Sequence, residues 1–406
     1  MYIGGAATDF NIEYSYMYKR IFDIKKTLER KSLIILGPRQ TGKSTWLKSN
    51  FPDAYYLDLL KPQLYQELST HPERLEEIIS FEKKKHKLFI IDEIQSIPIL
   101  INEIHRQIEE NKSLRFILTG SSARKLKRAG NNLLGGRLSR YFFHPLVFPE
   151  YTSSEDAVTL EEVITKGALP AILKSSDAYE DLADYVGLYL KEEIQAEGLS
   201  RSIENFSRFL HVSALCQAEQ INFTQIGNDA GVPPRTIIDY FSILEDTLTG
   251  YLLPAFTKTT TRKAMTSAKF YFFDIGIGNA LIKRKEIAPE TPEFGKNLEQ
   301  LIFLELQAYK DYRCKDLEIS YWRSTSKFEV DFVLELGKNI WGIEVKAKKN
   351  PSAKDYKGLM AISEDFPKLR KMCLCLCSSA RTNKEGITLM PIKTFLKMLW
   401  NDEIFN

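Results

Sequence analysis

GPRQTGKST, residues 37–45, is the stretch on which the fold turns. It fits G-x-x-x-x-G-K-[ST]. Gly37 and Gly42 permit tight turns, and Pro38, Arg39, Gln40 and Thr41 carry backbone groups between them that can face phosphate oxygens. Lys43 is expected at the β- and γ-phosphates and the Ser44 hydroxyl on Mg²⁺, with Thr45 closing the motif. The apolar run Ser32–Leu36 predicts a strand before the loop, and Lys43–Ser49 predicts a helix after it. The positive end of that helix would face the anion. Residues 37–45 are therefore the expected ATP site.

The next apolar run, LFIID at 88–92, ends in an acidic pair. Asp92 can hold Mg²⁺ through water, and Glu93 can orient or deprotonate an attacking water. A switch that only binds nucleotide needs no such glutamate, so the pair favours hydrolysis. RFILTGSSA at 115–123 predicts a further strand whose tip, Thr119–Ser122, either senses the γ-phosphate or caps the next helix. Asp58 ends another strand and can face the same cleft. Charge developing on the γ-phosphate also needs a cation, often an arginine in trans. The candidates are Arg124, Arg128, Arg137 and Arg140, with Arg137, after Gly135-Gly136, preferred.

Strands at Ser32–Leu36, Ala54–Leu57, Leu88–Ile91 and Arg115–Leu118 alternate with helices at Lys43–Ser49, Pro72–Phe81 and Ile99–Glu110. That order predicts a parallel α/β sheet. A further helix is expected over 19–30. A helical stretch follows from 158 to 250. A second mixed region then has strands at Lys269–Phe273, 318–323, 328–336, 340–347 and 372–377, with helices at Lys296–Tyr309 and Ile392–Leu399. The expected domains are 1–151, 152–265 and 266–406.

The chain has 406 residues, 44% hydrophobic and 27% charged, an ordinary globular composition. Every apolar run is strand-sized, so no membrane partner is expected. Five cysteines make no disulfide framework, and the expected setting is the cytoplasm. The net charge of +3 hides an asymmetry: residues 258–406 hold 26 Lys+Arg against 19 Asp+Glu. A basic C-terminal third suits contact with DNA phosphates.

Together these strings resemble the prokaryotic AAA+ ATPases that carry a C-terminal domain of unknown function 4143. The resemblance runs through GPRQTGKST, LFIIDEIQ, LTGSSA, GGRL and HPLVFPEY. It continues in KGALPAIL (166–173), FYFFDIGIGNAL (270–281), EVDFVLE (329–335) and GIEVK (342–346). It implies an AAA+ core, a helical and winged-helix middle, a restriction-endonuclease-like C-terminal domain and a homo-oligomeric ring.

FEVDFVLE and IWGIEVKAK flank a Gly337-Lys338 turn that suits a two-residue hairpin. In that register Asp331 lies opposite Glu344, beside Lys346. Facing carboxylates need a cation, and oxygen ligands favour a second Mg²⁺ or Mn²⁺, with Glu299 as a further ligand. The arrangement resembles the D…E-x-K core of restriction-endonuclease-like nucleases. The alternative is a polar hairpin face with Glu329 paired to Lys346.

Residues 221–253 have a helix-turn-helix cadence about Gly231. With Arg235 alone against Asp239, Glu245 and Asp246, the second helix suits packing better than base readout. Cys373, Cys375 and Cys377, spaced two apart among leucines, predict a buried strand. The expected function is ATP hydrolysis with Mg²⁺ coupled to DNA engagement. The alternatives are an ATP-gated metal-dependent nuclease and a nucleotide-dependent protein switch.

Overall fold

The computed structural model describes residues 18–122, 138–154, 157–189 and 202–405. Its N-terminal part is a five-stranded parallel sheet built from β1 (Ser32–Leu36), β2 (Tyr55–Asp58), β3 (Leu88–Asp92), β4 (Arg115–Gly120) and β5 (Leu138–Phe142). The strands lie in the order β2-β3-β4-β1-β5. β1, β3 and β4 are buried almost throughout because apolar layers cover both faces of the sheet. β5 has no apolar run: polar Ser139 and exposed Arg140 interrupt this edge strand, so periodicity alone does not reveal it.

The expected helix over 19–30 shrinks to one turn, Lys25–Leu28. Ahead of it Tyr18, Phe22 and Ile24 are buried, and the Ile21 amide donates to Glu150 Oε1 at 2.8 Å. A helix would carry Arg20 away from the buried partners described below. Tertiary contacts therefore override local propensity here.

The middle part includes the helices Ile203–Leu215, Phe223–Ala230 and Pro234–Asp246. The last two meet at Gly231, whose φ of 65° ends the first helix in the left-handed region. An antiparallel pair follows, β6 (Gly250–Leu253) with β7 (Lys269–Phe272).

The C-terminal sheet contains β8 (Glu318–Arg323), β9 (Glu329–Leu336), β10 (Asn339–Lys346), β11 (Arg370–Cys375), β12 (Arg381–Thr382) and β13 (Ile387–Pro391). Their order is β12-β13-β11-β10-β9-β8. β8, β9 and β10 form an antiparallel meander, whereas β10, β11 and β13 run parallel. Cys373 and Cys375 are buried thiols of β11, and Cys377 is buried just beyond it.

The helix Pro292–Tyr312 joins the two ends of the molecule. Phe294, Leu298, Leu301, Ile302, Leu306 and Tyr309 enter a core that also holds Leu146, Val147, Phe148 and Tyr151. Each such buried aliphatic or aromatic side chain contributes about 1.5–3 kcal/mol. Glu305 lies within this core, accepting from the Phe148 amide at 2.8 Å and from Trp400 Nε1 at 2.6 Å. Burial lifts its pKa to about 8, against the pull of those two hydrogen bonds.

The folded protein therefore keeps this proton where the unfolded chain loses it, near 4.5. The stabilisation is complete below that value and is lost as pH rises through the folded value. Thermal melts should show the Tm falling from pH 5 to pH 9. The fall should be shallower in Glu305→Gln.

Candidate active site

β1, β4 and β3 are neighbours, so the segments leaving their C-terminal ends converge in one crevice. The phosphate loop leaves β1. Gly42 has φ +90° and Gln40 φ +58°, so the loop alternates backbone hand and turns its amides inward. At Gly37 an added Cβ would lie 2.3 Å from the Phe143 carbonyl oxygen, and only glycine fits. Thr41 Oγ1 donates to the Pro38 carbonyl at 2.9 Å, tying the loop across itself. Lys43 is buried. Its Nζ donates to the carbonyl oxygens of Gly37 at 2.6 Å and Pro38 at 2.7 Å, which holds the ammonium inside the loop.

Asp92, at the tip of β3, takes hydroxyl donors from three strands or their exits. Ser44 Oγ donates to Oδ2 at 2.7 Å, Tyr56 Oη donates to the same oxygen, and Thr119 Oγ1 donates to Oδ1. All three donors are neutral hydroxyls, so none of them cancels the carboxylate's charge. Burial beside that charge raises the Tyr56 pKa. A hydroxyl and a carboxylate this close form a donor set that suits a hard divalent cation.

Glu93 is buried with φ +60°, a strained backbone for a residue with a side chain. Its amide donates to Thr119 Oγ1 at 3.2 Å. Gln95 Nε2 donates to Glu93 Oε2 and also to Ser121 Oγ, the latter at 3.0 Å. An added Cβ at Gly120 would meet Gln95 Oε1 at 2.6 Å, so the glycine makes room for that amide. Gln95 and Tyr56 were not among the expected site residues. The signal for Gln95 was present in LFIIDEIQ, whereas Tyr56 is found only through the β2–β3 pairing.

Asp58 pairs in register with Asp92, but its Oδ1 accepts from the Leu60 amide at 3.0 Å and serves the turn after β2. Arg140 lies mid-strand in β5, with its guanidinium over the Phe142 ring. Arg124, Arg128 and Arg137 lie outside the described residues.

Arg20 ties this loop to the rest of the chain. Its Nη1 donates to the Thr41 carbonyl at 2.7 Å, and its Nη2 donates to the His144 carbonyl at 2.6 Å and to Tyr312 Oη at 3.0 Å. Its Nε pairs with Glu150 at 2.8 Å, both side chains being almost fully enclosed, and the guanidinium stacks on Phe143. His144 in turn bonds Asp311 at 2.7 Å. The phosphate loop thus connects through one guanidinium to the C-terminal end of the helix Pro292–Tyr312.

The C-terminal candidates also come together. The hairpin has the expected register, with Ile343 opposite Phe332, which sets 344 against 331. Beyond that pair the Asp331 carboxylate takes the Val345 amide at 2.8 Å in place of a ladder bond. Lys346 Nζ donates to Glu344 Oε1 and lies 3.5 Å from Asp331. Glu329 does not pair with Lys346. It binds Lys269 Nζ at 2.6 Å, because Lys269 projects from β7 into the hairpin face. Lys269 also reaches Glu299 at 2.9 Å, which accepts from Tyr271 Oη at 2.6 Å. Burial raises the pKa of Glu344 and of Glu299. Burial pulls the Lys269 pKa down, but the surrounding carboxylates more than reverse this.

The fold and the loop define a P-loop NTPase. Residues 29–152 match an AAA domain, residues 158–288 match domain of unknown function 8612, and residues 294–395 match domain of unknown function 4143. The chain thus carries an AAA-type domain followed, C-terminally, by a domain of unknown function 4143. An uncharacterized protein of Haemophilus influenzae is 20% identical over 369 residues, covering 83% of this chain and 87% of its own. Domain III of the Thermotoga maritima replication initiation protein DnaA aligns at 16% identity with a TM-score of 0.24, over 44% of this chain and 82% of that one. The replication initiator DnaA bound to AMPPCP and single-stranded DNA aligns at 13% identity with a TM-score of 0.31, over 59% and 93%. Among the described residues no helix is long and apolar enough to cross a membrane.

Replacing Arg20 by Met would leave the Glu150 carboxylate buried without its charge partner, a loss of about 3–5 kcal/mol. The denaturant midpoint of Arg20→Met should fall accordingly, and Arg20→Met/Glu150→Gln should recover part of the loss.

Proposed function

We propose that the chain hydrolyses ATP and passes its nucleotide state to the C-terminal part, through which it engages DNA. The observation that carries the hydrolysis reading is the Asp92 carboxylate held by Ser44, Tyr56 and Thr119 beside a strained Glu93. Ser44 and Asp92 are the residues that would hold Mg²⁺, which when bound neutralises charge on the transferring phosphoryl group. Lys43 exchanges the carbonyls of Gly37 and Pro38 for phosphate oxygens. Glu93, fixed by Gln95, orients the attacking water and accepts its proton. Arg137 from a neighbouring copy in a ring supplies the remaining positive charge.

Arg20 carries the change onward. Any movement of the Thr41 carbonyl displaces a guanidinium that also holds Tyr312, across the working division into 1–151, 152–265 and 266–406. Engagement of DNA is supported by the basic balance of residues 258–406, while the helix pair about Gly231, followed by β6 and β7 in the order of a winged helix, serves packing rather than base readout.

Steady-state ATP turnover with Mg²⁺ tests this reading. Glu93→Gln should bind ATP normally and turn over about 10²–10⁴-fold more slowly, while Lys43→Ala should lose binding. Duplex or single-stranded DNA should raise the wild-type rate. A rate indifferent to DNA would favour a protein remodeller instead.

A further inference from the structure

The C-terminal cluster does not match the metal site that a D…E-x-K pattern implies. Glu299, Glu329, Asp331 and Glu344 converge, yet among the described residues no group of three or more Asp, Glu, His or Cys is placed to hold a metal ion. Their charge is met by two ammonium groups, with the Arg323 guanidinium 3.3 Å from Glu329 at the rim. Lys346 belongs to the pattern itself. Lys269 does not: it comes from β7, where its backbone pairs with Leu253 and Gln220, and its side chain is only 2% exposed.

Lys269 Nζ lies 2.9 Å from Glu299, 2.6 Å from Glu329 and 3.9 Å from Asp331. Those carboxylates fan around one cation as they would around a metal, but at ammonium distances rather than about 2.1 Å. A separate observation concerns Glu344. Its Oε1 faces Lys346, while its Oε2 is buried with no hydrogen-bond partner. A buried carboxylate oxygen without a donor is costly and is suited to a cation. A cleft of about 780 Å³, walled in part by Lys269, Arg323 and Glu329, reaches the edge of the cluster on the Lys269 side.

We propose that Lys269 is a built-in cation that occupies the C-terminal carboxylate cluster and excludes a divalent ion, masking a metal site formed by Glu299, Asp331 and Glu344. Charge balance makes the exclusion strong. With Lys269 present the four carboxylates face its ammonium, that of Lys346 and, at Glu329, the guanidinium of Arg323, and a further divalent charge would sit against a buried cation it cannot displace. Without Lys269, Arg323 still pairs with Glu329 at the rim, but Glu299, Asp331 and Glu344 are left with the Lys346 ammonium alone, and a hard divalent ion becomes the natural replacement. The cluster is then closed to metal-dependent cutting for as long as β7 stays paired with β6. The inference is independent of the nucleotide site.

The test counts Mn²⁺ bound to the nucleotide-free full chain, by equilibrium dialysis and electron paramagnetic resonance. Wild type should show no Mn²⁺ that Asp331→Asn removes. Lys269→Met and Lys269→Gln, each checked for fold by circular dichroism, should gain about one Mn²⁺ per chain. Adding Asp331→Asn to either should abolish the gain, and Lys269→Arg, which keeps the charge, should gain none. A wild-type Mn²⁺ lost in Asp331→Asn would overturn the proposal. So would a folded Lys269 variant that gains none.

Discussion

One buried guanidinium sets the relation between the parts of this molecule. Arg20 meets a loop carbonyl, the carbonyl after β5, a buried carboxylate, a tyrosine of the long C-terminal helix and an aromatic face. Arginine suits this position because its fork of donors is rigid and stays charged when enclosed. A lysine could satisfy only part of the set. The extended path of residues 18–24 and the close contact of Gly37 with Phe143 bring these partners within reach of the one side chain. The phosphate loop and Tyr312 are thereby partners of the same side chain.

The chain's two acidic centres are partnered in opposite ways. Asp92 is held by three neutral hydroxyls, which orient the carboxylate without adding positive charge of their own. The C-terminal carboxylates are held by ammonium groups set among them. The first lies beside the phosphate loop and brings no cation of its own among these donors, whereas the second has cations built into it.

The local code was legible where period and spacing carry it. The strand before the phosphate loop, the helix after it, the β3 strand and the β9–β10 register follow from apolar runs and a two-residue turn. Elements fixed by distant contacts were not legible. β5 lacks an apolar run, and residues 18–24 forgo a helix to bury Arg20 against Glu150. Lys269 lies 62 residues before Asp331 in sequence, in a strand whose own pattern is apolar. Nothing local announces that its ammonium ends among the hairpin carboxylates. Gln95 lay inside a quoted motif, yet its task depends on Gly120 giving it room from the neighbouring strand.

Coupling between the nucleotide site and the C-terminal helix is the central claim. Amide hydrogen exchange on Glu93→Gln protein, nucleotide-free against loaded with ATP and Mg²⁺, tests it most directly. The account predicts altered protection in peptides covering 144–150 and 305–312 as well as in the phosphate loop. Changes confined to 37–45, 88–96 and 115–122, with the helix Pro292–Tyr312 unaffected, would contradict it.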